Sequence, residues 1–239
     1  MIAPKSLRIA RAPAGPGQGT GEPDLWCTYA AVRTLGWLDR LPDVRAPEST
    51  ARYLRSRRNA DGGYAWSRGM ASDAWATFYC TQALRDLGTP VDDTAATEEW
   101  LGATWTGHAY GMQPGQHADV WATHFSVRTQ VRVCGGPVPD PEALQSWLGG
   151  LQDADGGLCW TPEHAARGRG PDVRACYYGV VAWLEALDSG AHLGDDPGAL
   201  MASEHREAGH RDVAGDQVMV RVAHARGFHL DLDLVLDGV

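Results

Sequence analysis

The sequence predicts an all-α protein, an α/α toroid (barrel) of four to five or six helical hairpins whose inner helices line a central cavity. Three observations carry that expectation. Four apolar segments open on an aspartate, at Asp24, Asp73, Asp119 and Asp172, with spacings of 49, 46 and 53 residues, a period that marks stacked supersecondary units. Amphipathic, charged segments alternate with them, so each unit pairs a buried helix with a half-wet one. A D-G-G followed by apolar and aromatic residues recurs at Asp61 and Asp155, where an outer helix stops and the chain turns back.

The elements follow in order. Residues 1–22 are rich in Gly and Pro and read as a flexible lead-in, 23–228 as a single toroid domain and 229–239 as an arm. The inner helices are DLWCTYAAVRTLG, DAWATFYCTQALRDLG, DVWATHFSVRTQVRVCGG and DVRACYYGVVAWLEALD. In each, the leading carboxylate can accept from free amides of the first turn and complement the helix dipole. The outer helices are expected at 47–58, 93–105, 140–152 and 195–208, each behind a Pro, Asp, Ser or Thr start signal. Residues 209–226 can supply one more inner helix, with Asp212 or Asp216 near its start. In the third unit the corner is read as decayed to AYGMQPGQ, residues 109–116. The tail HLDLDLVLDG alternates apolar and polar residues, a pattern of a short strand or arm that can pair with a partner chain.

Composition sets the outer limits. With 239 residues, 44% hydrophobic and 21% charged, the chain has the makeup of an ordinary globular protein. Its net charge of -9 argues against nucleic acid or an anionic membrane as the main partner, since both demand a basic face. No apolar window reaches membrane-spanning length, and the cytoplasm is the expected location. Five cysteines without a C-x-x-C pair disfavour a disulfide framework or a zinc ribbon.

The unit of RNADGGYAW (58–66) and QDADGGLCW (152–160), each followed by an Asp-led buried helix, resembles the repeat shared by protein prenyltransferase β subunits and squalene or terpene cyclases. The resemblance spans roughly residues 24–190 and implies a small, divergent α/α toroid whose cavity holds an isoprenoid. It also supplies signatures to check. The zinc ligands of the prenyltransferases fall on Asp155, Gly157 and Arg174, of which a glycine and a guanidinium cannot bind zinc. A shifted set, Asp155, Cys159 and His164, matches no strong zinc spacing. The acid motif DxDDTA of the cyclases has a near copy in PVDDTAAT (90–97), with Pro90 in place of the first Asp. That copy opens an outer helix, whereas the cyclase motif opens an inner one, so Asp92 or Asp93 is read as a cap. Asp73 is the carboxylate in register. The thioester motif of complement-type toroids and the Cys/His pattern of lanthionine cyclases are absent.

The candidate site follows from helix spacing. The second, sixth and ninth residues after each aspartate share a face, and there stand Trp26, Trp75, Trp121 and Arg174, then Tyr79, Phe125 and Tyr178, then Arg33 and Arg128. Such a face can line an aromatic cavity with a polar floor, or it can pack inner helices against outer ones. In the first case Trp26, Trp75, Trp121, Tyr79 and Phe125 shape the substrate, and Arg33, Arg128 and Arg174 anchor an anionic end. Asp73, His124, Asp119 and Tyr178 are the residues for proton chemistry. Three functional expectations remain. The first is a metal-independent, cofactor-free enzyme that cyclises or rearranges an isoprenoid or similar apolar or amphipathic small molecule. The second is a non-catalytic ligand carrier or partner-binding toroid, and the third a metal-dependent transferase. Whether the ring closes alone or as a homodimer is left open.

Overall fold

Four inner helices stand side by side with an outer layer behind them. The structure, a computed structural model, describes residues 24–191 apart from 45 and 155, with side chains through 187. The expected lead-in, the segments 195–208 and 209–226, the arm and Asp155 lie outside the described residues. The inner helices are α1 (Leu25–Trp37), α3 (Ala74–Asp86), α5 (Val120–Arg128) and α8 (Val173–Ala191). The outer ones are α2 (Pro47–Arg55), α4 (Thr94–Thr104) and α6 (Pro141–Gly149). A short α7 (Pro162–Ala166), not anticipated from the sequence, sits in the loop before α8, capped by the Thr161 side chain on the His164 amide. Successive inner helices are neighbours, α1 with α3, α3 with α5 and α5 with α8, which is the toroid arrangement.

The capping aspartates start the inner helices as expected. Asp24, Asp73 and Asp119 each accept from the amide three residues on, at 2.8 Å in every case. Asp172 accepts from the Arg174 amide instead, also at 2.8 Å. Asp93 caps α4 through the Ala96 amide, while Asp92 pairs with Arg55. The PVDDTAAT copy is thus spent on an outer-helix start and a surface ion pair.

Beyond Arg128 the third inner helix widens into a π-helical stretch, Thr129–Cys134. The wider turn sends Gln130 to Glu98 of α4, at 2.7 Å, and Arg132 to Glu185 of α8, at 2.8 Å. One irregular turn therefore ties the inner helix to two neighbours. Behind it, two apolar clusters fill the interior, one around Leu54, Phe78, Leu84 and Leu101, the other around Val127, Leu144, Leu148 and Leu151. The five cysteines are all free, with Cys80 and Cys159 buried as small apolar side chains.

Each corner is held by the same three contacts. Tyr64, Tyr110 and Leu158 form one-residue antiparallel bridges with Arg58, Trp105 and Gln152. Their carbonyls accept from the amides of Asp73, Asp119 and Asp172 at 3.0, 3.3 and 3.1 Å. Their own amides donate to Thr77 Oγ1, Thr123 Oγ1 and Cys176 Sγ at 3.0, 3.2 and 3.2 Å. The third corner therefore lies at 105–110, earlier than the expected 109–116, and is intact rather than decayed. Its sequence disguise is a one-residue shortening: the Thr106 amide donates to the Ala109 carbonyl, three residues on, whereas the Asn59 and Asp153 amides donate to the Gly63 and Gly157 carbonyls, four residues on.

A second set of bonds links one repeat to the next. The Ala74 amide donates to the Met112 carbonyl at 3.0 Å and the Val120 amide to the Trp160 carbonyl at 3.1 Å. Removing one acceptor isolates the value of a corner bond. Thr77→Val keeps shape but leaves the buried Tyr64 amide unpaired, so it is expected to cost about 2 kcal/mol in urea unfolding, the penalty of an orphaned buried donor.

Candidate ligand-binding wall

The helix caps set the register, and the register stacks the inner-helix side chains in layers. Two residues after each cap stand Trp26, Trp75 and Trp121, and the corners add Trp66 and Trp160 beside them. Trp26 meets Trp75 at 5.1 Å between ring centroids, Trp66 meets Trp75 at 4.6 Å, Trp75 meets Trp121 at 4.6 Å, and Trp121 meets Trp160 at 6.1 Å. Below this indole layer, residues five and six after the cap interlock across the helices. Tyr29 stacks on Tyr79 at 3.8 Å, Phe78 meets Phe125 at 5.5 Å, and His124 meets Tyr178 at 4.6 Å. The ring contacts of Trp26, Trp75 and Trp121 run among the inner helices and corners, with none to an outer-helix ring among the described residues. Trp26 is half exposed and Trp75 and Trp121 are partly so. The tryptophans thus present a common apolar wall instead of bonding the two layers. The Trp121 indole nitrogen is buried and lacks a hydrogen-bond acceptor among the described residues.

Trp66 and Trp160 were missed by reasoning on inner-helix spacing, because they lie on the corners. Their signal was in the sequence: each follows its D-G-G at the same interval. Both lie by a capping carboxylate, Trp66 as a hydrogen-bonding neighbour of Asp73 and Trp160 of Asp172.

The ionic floor lies one to two turns further along. Arg33 pairs with Asp86 at 2.9 Å, and Gln82 donates to the same carboxylate at 2.8 Å. Arg174, level with the tryptophan layer and not in the floor, pairs with Asp172 at 3.1 Å and lies over the Trp160 ring. These two guanidiniums, the first partly buried and the second exposed, therefore have internal counter-ions. Arg128 differs. It shares Glu185 with Arg132, at 3.7 Å through its Nε, which stays without a hydrogen bond, and its guanidinium lies over Phe78 at 4.6 Å. Two cations facing one carboxylate leave a surplus positive charge at Arg128, whose side chain is 11% exposed. Burial and the neighbouring Arg132 both disfavour its charge, so an added electron-rich group is welcome there.

His124 is buried between the rings of Phe125, Tyr177 and Tyr178. Its Nδ1–H donates to the Tyr178 carbonyl at 3.2 Å, which makes Nε2 the acceptor for Arg128 Nη1 at 3.4 Å. Burial, then the Arg128 charge, hold its pKa well below the ordinary imidazole range. The ring is neutral and both nitrogens are engaged, a positioning geometry for α8 and Arg128.

Asp73 is a buried carboxyl beside the indole layer. Burial raises its pKa from 3.8 to about 6, against the lowering effect of the Ala76 and Trp75 amides and the Trp66 indole. Asp119 shifts in the same direction for the same reason, with the Ala122 and Trp121 amides opposing. Burial also carries Tyr79 up to about 12 and raises Tyr178, so the wall phenols stay protonated at neutral pH.

The zinc positions supplied by the resemblance do not fit this structure. A Cβ at Gly157 would collide with Pro171 Cβ and lie 2.7 Å from its Cγ, so a cysteine ligand has no room there. Arg174 is committed to Asp172. In the shifted set, Cys159 donates its thiol proton to the Gly170 carbonyl at 3.3 Å.

An arc of hairpins with an aromatic inner wall and a charged floor defines a toroid of the prenyltransferase type. Residues 10–103 and 68–189 match the prenyltransferase alpha-alpha toroid domain family, and the chain belongs to it. Among solved structures, the Candida albicans protein geranylgeranyltransferase-I complexed with GGPP is similar at a TM-score of 0.56 and 19% identity, covering 72% of this chain and 50% of that one. The chain thus spans about half the length of that relative, and the likeness is one of fold. The comparison with curated proteins returns no match. No helix among the described residues is long and apolar enough to cross a membrane.

Proposed function

We infer that this protein is a small-molecule cyclase or isomerase that holds an isoprenoid or similar apolar substrate against the aromatic wall, with Asp73 as the proton donor and no zinc. The single observation that carries the reading is the placement of a carboxyl that burial makes easier to protonate, Asp73 with a pKa of about 6, directly beside Trp66 and Trp75. An acid poised near neutrality transfers protons most effectively. The surrounding indole and phenol faces stabilise the positive charge that protonation of an alkene creates. Arg128 binds the electron-rich end of the substrate, and the Trp75 and Trp121 rings shape its apolar part. The fold neighbour's bound GGPP supports an isoprenoid as the ligand class. Asp119 is a second acid of the same layer, and Arg33 and Arg174 shape the floor and rim through their acid partners.

The carrier reading is favoured by one observation: Asp73 and Asp119 both serve as helix caps and His124 has no free nitrogen. Incubation with short acyclic isoprenoids, offered as hydrocarbons, alcohols and diphosphates, separates the two. The enzyme yields a product isomeric with its substrate, whereas ligand recovered unchanged after tight binding establishes a carrier. Binding itself is read by tryptophan fluorescence. Arg128→Gln is expected to weaken an oxygen-bearing ligand by roughly tenfold to a hundredfold, the value of a charge-assisted hydrogen bond, and to leave a hydrocarbon unaffected.

A further inference from the structure

The three junctions between inner helices are built alike, and α8 carries the same face with no further inner helix on it among the described residues. At each junction the residue five after the cap packs on the residue six after the next cap: Tyr29 on Tyr79, Phe78 on Phe125, His124 on Tyr178. The corresponding residue of α8, Tyr177, is 52% exposed, while Phe78 and His124 are buried. The first residue after the cap behaves in the same way. Leu25, Ala74 and Val120 are buried, and the amides of the latter two bond to the corner of the following repeat. Val173 at this place in α8 is 82% exposed. An apolar valine and a tyrosine, one turn apart on the helix, stand where every earlier inner helix receives its successor.

We propose that this face of α8, centred on Val173 and Tyr177, is the docking surface for residues 192–239 of the same chain. The segment begins where α8 ends, and its length matches the repeat spacing of 46 to 53 residues. Direct tethering gives it an effective concentration no free partner approaches. It also contains an apolar run, VMVRVAHA at 218–225, able to bury the valine and the tyrosine. A second copy of the chain is the rival occupant, because the matching face of α1, with Cys27, Ala30 and Thr34, is exposed too. Their counterparts Ala76, Tyr79 and Ala83 in α3 are buried.

The test uses the full-length chain with a photoreactive residue, Tyr177→p-benzoylphenylalanine, irradiated and mapped by peptide mass spectrometry. Crosslinks at monomer mass joining position 177 to residues within 192–239 are expected. Crosslinks at doubled mass, joining position 177 to α1 of another molecule, overturn the proposal in favour of a dimer. Absence of crosslinks, or crosslinks confined to residues 24–191, overturns it as well. Val173→p-benzoylphenylalanine repeats the experiment one turn away, and unchanged circular dichroism confirms that each variant is folded.

Discussion

Asp73→Asn is expected to lower turnover by at least about a hundredfold, the usual loss when a positioned acid is removed, while ligand affinity changes less than about twofold. Asparagine is as good a helix cap as aspartate, so the Ala76 amide keeps its acceptor and α3 keeps its start. The substitution therefore removes the proton and spares the fold. A stability signature accompanies it. The folded-state pKa of about 6 stands above the ordinary 3.8, so between these values the native state holds the extra proton and stability falls as pH rises. The stabilisation is fully present below about pH 4 and is lost as pH passes through about 6. The displacement corresponds to roughly 3 kcal/mol as an upper bound. Asp73→Asn has no such proton to lose. By urea unfolding it should match the wild type near pH 4 and exceed it by up to roughly that amount near pH 8. Turnover at the wild-type rate in a folded Asp73→Asn variant would move the acid elsewhere and remove the main support for the cyclase reading.

How far the sequence leads depends on how local each feature is. The aspartate caps were legible because the contact spans three residues and recurs. The tryptophan layer was legible because equal spacing after each cap puts the side chains at equal heights. The ion pairs of the floor were not. Arg33 finds Asp86 and Arg132 finds Glu185, each 53 residues away, and their matching requires knowing how adjacent inner helices are staggered. Without the stagger, Arg33, Arg128 and Arg174 looked alike as anion anchors. With it, only Arg128 shares its acid with a second cation. The third corner was misplaced for a similar reason. Its mark is not D-G-G but the pairing of Tyr110 with Thr123 and Asp119, which repeats the pairing of Tyr64 with Thr77 and Asp73 across a different loop sequence. His124 was singled out for its residue type and height on the helix, and the structure explains its place by the two bonds that pin α8 and Arg128.

Gly62→Ala tests the corner itself and is expected to cost about 5 kcal/mol, a large part of the 5–15 kcal/mol that holds a typical domain together. Three contributions add. The residue sits at φ +92°, outside the conformations a side chain accepts easily, at about 1 kcal/mol. A Cβ there would collide with the Ala96 carbonyl oxygen and come within 2.5 Å of its carbon. These are backbone atoms of α4 that cannot rotate aside, so the overpacking falls at the upper end of about 1–3 kcal/mol. Moving α4 away also stretches the buried bond from Thr97 Oγ1 to the Gly62 carbonyl, now 2.9 Å, worth about 1 kcal/mol. Gly107 supplies the control, because it occupies the matching corner at φ +96° with open space around its would-be Cβ. Gly107→Ala should therefore cost only the conformational part, about 1 kcal/mol. Urea midpoints for the two variants decide the matter: equal losses would mean that the approach of α4 to the corner contributes nothing, and that the glycines serve turn conformation alone.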